Sequence, residues 1–161
     1  MKKIFKYLLP LALSFSTAAY SQNVKIFGLV ELSGAGVTSG SNFDNGAKLA
    51  VKEINASGGI LGKKIDYISL DTQSNPGVAK GLALQAVDSG AYVVMGPVFS
   101  GSVMVSMSVT RQAEIANFTG GEAAGITQQG NPYIFRTSFT QATAMPKIAR
   151  YIKDKVKAKT I

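Results

Sequence analysis

The sequence predicts an α/β chain built on a Rossmann-like parallel sheet flanked by helices, and three observations carry that prediction. Short apolar runs rich in β-branched residues recur along it, as buried parallel strands require. Between them lie segments whose apolar residues repeat at i, i+3, i+4 and i+7, the spacing of one helix face. Strand and helix then alternate at roughly thirty-residue intervals, the length of a βαβ unit with a right-handed crossover.

The first strand is Val24-Lys-Ile-Phe-Gly-Leu-Val30. It opens into Glu31-Leu-Ser-Gly-Ala-Gly36, small residues past which a ligand can approach the backbone closely. Gly34-x-Gly36-x-x-Ser39-Gly40 does not complete a dinucleotide fingerprint, since the third glycine is out of place and polar residues run on to Asn42. Asn42 or Asp44 is the expected cap of a helix with Ala47, Ala50, Val51 and Ile54 on its apolar face and Lys48 and Lys52 outside. Gly58-Gly59 ends it. Ile65–Leu70 alternates as a second strand, and Asp71–Asn75 is the loop after it.

Asn75-Pro76 starts the next helix, with Asn at the cap and Pro at the first helical position. Ala79, Leu82, Ala83, Ala86 and Val87 form its inner face, and Gly90 stops it. Tyr92–Met95 is the third strand, cut off by Gly96-Pro97 because proline has no N–H for a sheet ladder. Ser100 to Ala113 carries two patterns: Val103, Val105, Met107 and Val109 alternate, while Met104 and Met107 sit at helical spacing. The βαβ rhythm and a capping role for Ser100 decide for a helix. Ile115–Phe118 is the fourth strand, Thr119–Gly125 its loop, and Tyr133–Arg136 a further extended run. Ile148, Ile152 and Val156 mark a last helix, with Pro146 expected in its first turn.

The ends of the chain have their own character. Lys2, Lys3 and Lys6, an apolar stretch from Tyr7 to Phe15, and Ala19-Tyr20-Ser21 are the three parts of a secretory leader over residues 1–21. The formal charge of +8 is local: those three lysines and the lysine-rich stretch after Pro146 account for it, and Gln22 to Pro146 is neutral. Nucleic-acid binding is therefore not expected. The chain has no cysteine and no histidine, so it has no disulfide, no lipoprotein cysteine, no zinc site of the usual ligands and no His-based or Cys-based nucleophile pair. No metal, cofactor or catalytic residue is expected.

In open parallel sheets ligands sit beyond the C-terminal strand ends. The loops meeting there are Ser33–Ser41, Asp71–Asn75, Gly96–Ser102 and Thr119–Gly125, rich in Ser, Thr, Gly and Asn. A helix starting at Ser100 offers free N–H groups and a hydroxyl to an anion such as a carboxylate. Asp71 and Glu122 are the acids that stand out: Asp71 reads as a solvated or loop-bracing aspartate ahead of a metal or acid/base residue, Glu122 equally as a ligand contact or a surface residue.

Asn45-Gly-Ala-Lys-Leu-Ala-Val-Lys-Glu-Ile-Asn-Ala-Ser-Gly-Gly-Ile-Leu-Gly-Lys-Lys-Ile65 resembles the first helix and turn of leucine/isoleucine/valine-type periplasmic binding proteins. The similarity extends to Val24–Gly34, Asp71–Pro76, Gly96–Ser102 and Tyr133-Ile-Phe-Arg-Thr137, in the family's order. The resemblance implies the type I fold of two Rossmann-like lobes closing on a ligand, which an ABC permease in the inner membrane receives in the periplasm. It implies a first lobe at 22–137 and, at 138–161, a crossover and first helix of a second lobe, with the chain an N-terminal fragment that by itself binds poorly. Ser100 matches the serine that holds the substrate carboxylate, with Phe99 and Gly101 beside it. The stretch around Gly121 and Ala123 matches the loop whose backbone carbonyl accepts from the α-ammonium, and Ser39 falls where relatives place an aromatic ring. Glu122 stands where relatives carry a threonine hydroxyl, so the resemblance implies that either the ammonium contact is lost or Glu122 supplies a charged substitute. That leaves a branched-chain or related amino acid, another carboxylate, an amide or an aromatic acid as the ligand. The ligand-sensing ectodomain of a receptor is the alternative function on the same fold.

Overall fold

The computed structural model describes residues 22–160; the expected leader lies outside them. Its five strands are β1 (Val24–Val30), β2 (Ile65–Asp71), β3 (Val93–Met95), β4 (Ala116–Thr119) and β5 (Ile134–Arg136). They form one sheet in the order β2-β1-β3-β4-β5, parallel throughout. The helices are α1 (Val37–Ala56), α2 (Pro76–Asp88), α3 (Ser100–Gln112) and α4 (Gln141–Tyr151). Right-handed crossovers in this order place α1 on one face and α2 and α3 on the other, where those two pack together. The expected Rossmann-like sheet is thus what the chain forms.

The core lies between the sheet and α2–α3. Phe27, Leu29 and Val94 meet Ala83, Ala86 and Val109, and the small alanines let α2 sit close to the strands. A second cluster, Val103, Met107, Ile126 and Ile134, joins α3 to β5. The α2 start is as expected: the Asn75 side chain accepts from the Gly77 and Val78 N–H groups, with Pro76 at the first helical position. The third strand stops at Met95, before Gly96-Pro97. Gly96 has φ +83°, and a Cβ there would fall on the Leu29 carbonyl.

Three boundaries differ from the sequence reading. Helix α1 begins at Val37, not at Asn42 or Asp44, and Asp44 is buried within it. It accepts from Tyr67 Oη at 3.1 Å and Ser69 Oγ at 2.6 Å, and pairs with Lys48 at 2.6 Å. Burial pushes its carboxyl up, but these donors outweigh burial and hold it below the ordinary range. Burial and the same carboxylate push the Tyr67 phenol up. The buried stripe is consequently Gly40, Asp44 and Ala47, and Ala50 and Ile54 face solvent: a polar anchor to β2 displaced the purely apolar face. In α3 the cap position is Phe99 and Ser100 is the first helical residue, because Phe99 is the last in extended geometry. Helix α4 begins at Gln141, capped by Thr140 accepting from the Thr143 N–H, so Pro146 lies beyond its first turn; Ile152–Val156 continues as a π-turn. No residue of α4 is buried.

Candidate functional site

Strand order reverses at β1 and β3: the chain leaves β1 toward β2 and leaves β3 toward β4. Loops diverging from neighbouring strand ends open a crevice there. A cavity of about 320 Å³ occupies it. Ser39 lines it from α1, Val98 to Gly101 from the turn after β3, Gly120 and Glu122 from the loop after β4, and Gln141 from α4. Of the four loops expected to meet, three regions reach the cavity. The fourth, Asp71–Asn75, braces its neighbour: Asp71 Oδ1 accepts from the Leu32, Ser33 and Gln73 N–H groups at 2.9, 3.1 and 2.8 Å, and Oδ2 from Ser33 Oγ at 2.6 Å. Burial raises its carboxyl pKa, and the Ser33 hydroxyl with the three N–H groups brings it below the ordinary value. Ser74 adds two bonds, donating to the Ser33 carbonyl at 2.7 Å and accepting from the Gly36 N–H at 2.9 Å.

Glu31, at the end of β1, is wholly buried. Its carboxylate accepts from the Val98 N–H at 3.1 Å and the Phe99 N–H at 3.0 Å, fixing the turn that leads into α3. Gly40 makes room for it, since a Cβ there would collide with the Glu31 backbone. The end of β1 and the turn into α3 are therefore tied together by two hydrogen bonds.

Ser100 is the centre of the site. Its Oγ accepts from the Glu122 N–H at 3.2 Å and the Ala123 N–H at 3.1 Å. A hydroxyl has two acceptor positions and one proton. With both acceptor positions filled, Ser100 can only donate to whatever enters the cavity. The first helical hydrogen bond of α3 runs from the Val103 N–H to the Phe99 carbonyl, so the N–H groups of Ser100, Gly101 and Ser102 precede the helix ladder and add positive potential. This corner suits an anionic or carbonyl oxygen.

Every backbone N–H and carbonyl of the facing wall from Gly120 to Ala123 has a partner within the fold. The Gly120 N–H donates to the Pro97 carbonyl, and the Gly120 carbonyl accepts from Ser138 Oγ. The Gly121 N–H donates to Thr119 Oγ1, and the Gly121 carbonyl accepts from Arg136. The Glu122 carbonyl accepts from the Gln141 N–H, and the Ala123 carbonyl from Arg136 Nη2 at 2.8 Å. The group of this wall left without a partner is the carboxylate of half-buried Glu122, which has no ion pair among the described residues.

Ser39, Phe99, Ser100, Gly101 and Glu122 are thus brought together on the cavity, whereas Gly121 and Ala123 stand behind it and Gly120 takes the lining position. Within the stretch whose backbone carbonyl the family resemblance assigns to a ligand ammonium, the Gly121 carbonyl accepts from Arg136. Sequence reasoning did not single out Glu31, Arg136 or Gln141. An acid directly closing an apolar strand was the one signal for Glu31; Arg136 and Gln141 carried none beyond their place in the chain. Among the described residues no group of acids could hold a metal, and no helix is long and apolar enough to cross a membrane.

The family model for periplasmic binding proteins matches residues 23–161. The Leu/Ile/Val-binding protein of Escherichia coli (strain K12) is 31% identical over 152 residues, covering 94% of this chain and 41% of that protein. The chain thus spans about 41% of the length of that relative. A branched-chain amino acid transporter substrate binding protein from Streptococcus pneumoniae, solved in complex with isoleucine, superposes with a TM-score of 0.82 at 31% identity, over 85% of this chain and 40% of that one. A solute binding protein of an ABC transporter from Rhodopseudomonas palustris BisB5, solved with 3,4-dihydroxy benzoic acid, has a TM-score of 0.74 at 26% identity, over 81% of this chain and 36% of that one.

Proposed function

The chain belongs to the periplasmic binding protein family, and from that premise we propose that it is the solute-binding component of an ABC importer. In this reading it takes a small carboxylate-bearing ligand, a branched-chain or related amino acid, and hands it to an inner-membrane permease without chemical conversion. A leader over residues 1–21 exports it to the periplasm, residues 22–137 form the first lobe of the type I fold, and residues 138–161 begin the crossover to a second lobe.

The observation that carries the reading is the polarity of Ser100. Two backbone N–H groups fill its acceptor positions, so its proton is directed to a ligand oxygen beside the start of α3. Glu122 supplies the complement, a carboxylate facing a ligand ammonium, stronger than the threonine hydroxyl that relatives place there. Calorimetry on the full-length protein tests this. Ser100→Ala weakens a carboxylate ligand by about 1.5–3 kcal/mol, the scale of a hydrogen bond to a charged group. Unchanged affinity would remove Ser100 from the site.

The second reading, a carboxylic acid with no ammonium, is supported by the aromatic acid bound to the Rhodopseudomonas palustris relative. L-leucine and its desamino analogue 4-methylpentanoate separate the two. Preference for leucine that disappears in Glu122→Gln supports the amino acid, and preference for the simple acid supports the alternative.

A further inference from the structure

Arg136 closes β5, opposite Thr119 of β4, and is half-buried. Its guanidinium donates to the Gly121 carbonyl, to the Ala123 carbonyl at 2.8 Å and to Thr127 Oγ1 at 3.2 Å. No carboxylate pairs with it among the described residues. A charged fork engaged wholly with neutral acceptors serves geometry, and its planar donors suit two carbonyls two residues apart.

Those two carbonyls flank Glu122. In a trans peptide the C=O and N–H point in opposite directions. Arg136, holding the Gly121 carbonyl from one side, turns the Glu122 N–H of the same peptide to the other side, where it reaches Ser100 Oγ. Its second bond fixes the carbonyl beyond Glu122. One side chain outside the cavity therefore reaches both of its walls.

We propose that Arg136 is a positioning residue of the ligand site. It sets the Gly121–Glu122 peptide, and through that peptide both the donor polarity of Ser100 and the placement of the Glu122 carboxylate. The proposal rests on the site reading given under Proposed function.

Arg136→Lys in the full-length protein keeps the charge and loses the fork. Amide hydrogen exchange by NMR needs no ligand: exchange at Glu122 and Ala123 rises at least about tenfold, the scale of losing one hydrogen bond to a charged group, while β1 amides keep their rates. In calorimetry, the ratio of leucine to 4-methylpentanoate affinity falls by about tenfold toward that of Glu122→Gln, and Arg136→Lys added to Glu122→Gln lowers it no further. A purely structural role lowers both affinities by one factor and leaves the ratio intact; that result, or unchanged exchange at Glu122 and Ala123, overturns the proposal. If Glu122→Gln itself leaves the ratio unchanged, the ligand reading fails and the exchange rates alone decide the case of Arg136. Thr127→Val, which removes only the third partner of the guanidinium, covers the case in which Arg136→Lys does not fold: about twofold faster exchange supports the proposal, and none overturns it.

Discussion

Two walls meet at the C-terminal edge of this sheet, and they use the same residue classes in opposite ways. At the loops after β1 and β2, Asp71 commits its carboxylate to four donors of the fold. In the loop after β4, each backbone group from Gly120 to Ala123 has a partner, from Pro97, Ser100, Thr119, Arg136, Ser138 and Gln141, and the Glu122 carboxylate is left without one. In sequence Asp71, followed by Thr, Gln, Ser and Asn, reads as a solvated or bracing acid, and Glu122, set among glycines and alanines, reads equally as a ligand contact or a surface residue. What distinguishes a brace from a binding group is the number of donors already committed to it.

The sharpest way to break this comparison is Glu31. Glu31→Ala strands the Val98 and Phe99 N–H groups at a wholly buried position and costs about 3 kcal/mol of folding stability in urea unfolding, at roughly 1–3 kcal/mol per unsatisfied donor. A loss under about 1 kcal/mol would mean that water satisfies the turn instead. Next in size is the contrast itself. Asp71→Ala costs about 1.5–3 kcal/mol, and Glu122→Ala stays within about 0.5 kcal/mol because nothing in the fold depends on its carboxylate. Equal losses would erase the distinction.

Binding reverses that order. Glu122→Gln lowers affinity for an amino acid by about tenfold, whereas Asp71→Asn changes it less than about twofold. The smallest effect is on pH dependence. Asp44 and Asp71 have depressed carboxyl pKa values in the folded state, so their stabilisation is full above the ordinary carboxylate value of about 4 and is lost as pH falls through their folded values. Thermal unfolding measured from neutral pH down to about 3 shows a decline that is shallower in Asp71→Asn.

The fold was largely legible. β1 runs from Val24 to Val30 as its β-branched run indicates, and Asn75-Pro76 and Gly96-Pro97 mark boundaries the chain observes. The misses share a cause. Asp44 reads as a cap because a lone acid in a helix is normally solvated, and only the approach of Tyr67 and Ser69 from β2 makes it an anchor. Ser100 reads as a cap for its own helix, but its hydroxyl bonds to residues 22 and 23 positions away. Arg136 and Glu31 act through backbone groups contributed by distant loops, and periodicity carries no information about such contacts.

The completeness of the Gly120–Ala123 hydrogen bonding has a thermodynamic consequence. A ligand arriving there need break none of these backbone hydrogen bonds, so the ordering cost at this wall falls on the Glu122 side chain. Heat exchanged at it comes from the new contact and from the water that contact displaces. A difference in binding enthalpy between the native protein and Glu122→Gln therefore reports the carboxylate contact together with the water it displaces, without a term for refolding the loop backbone.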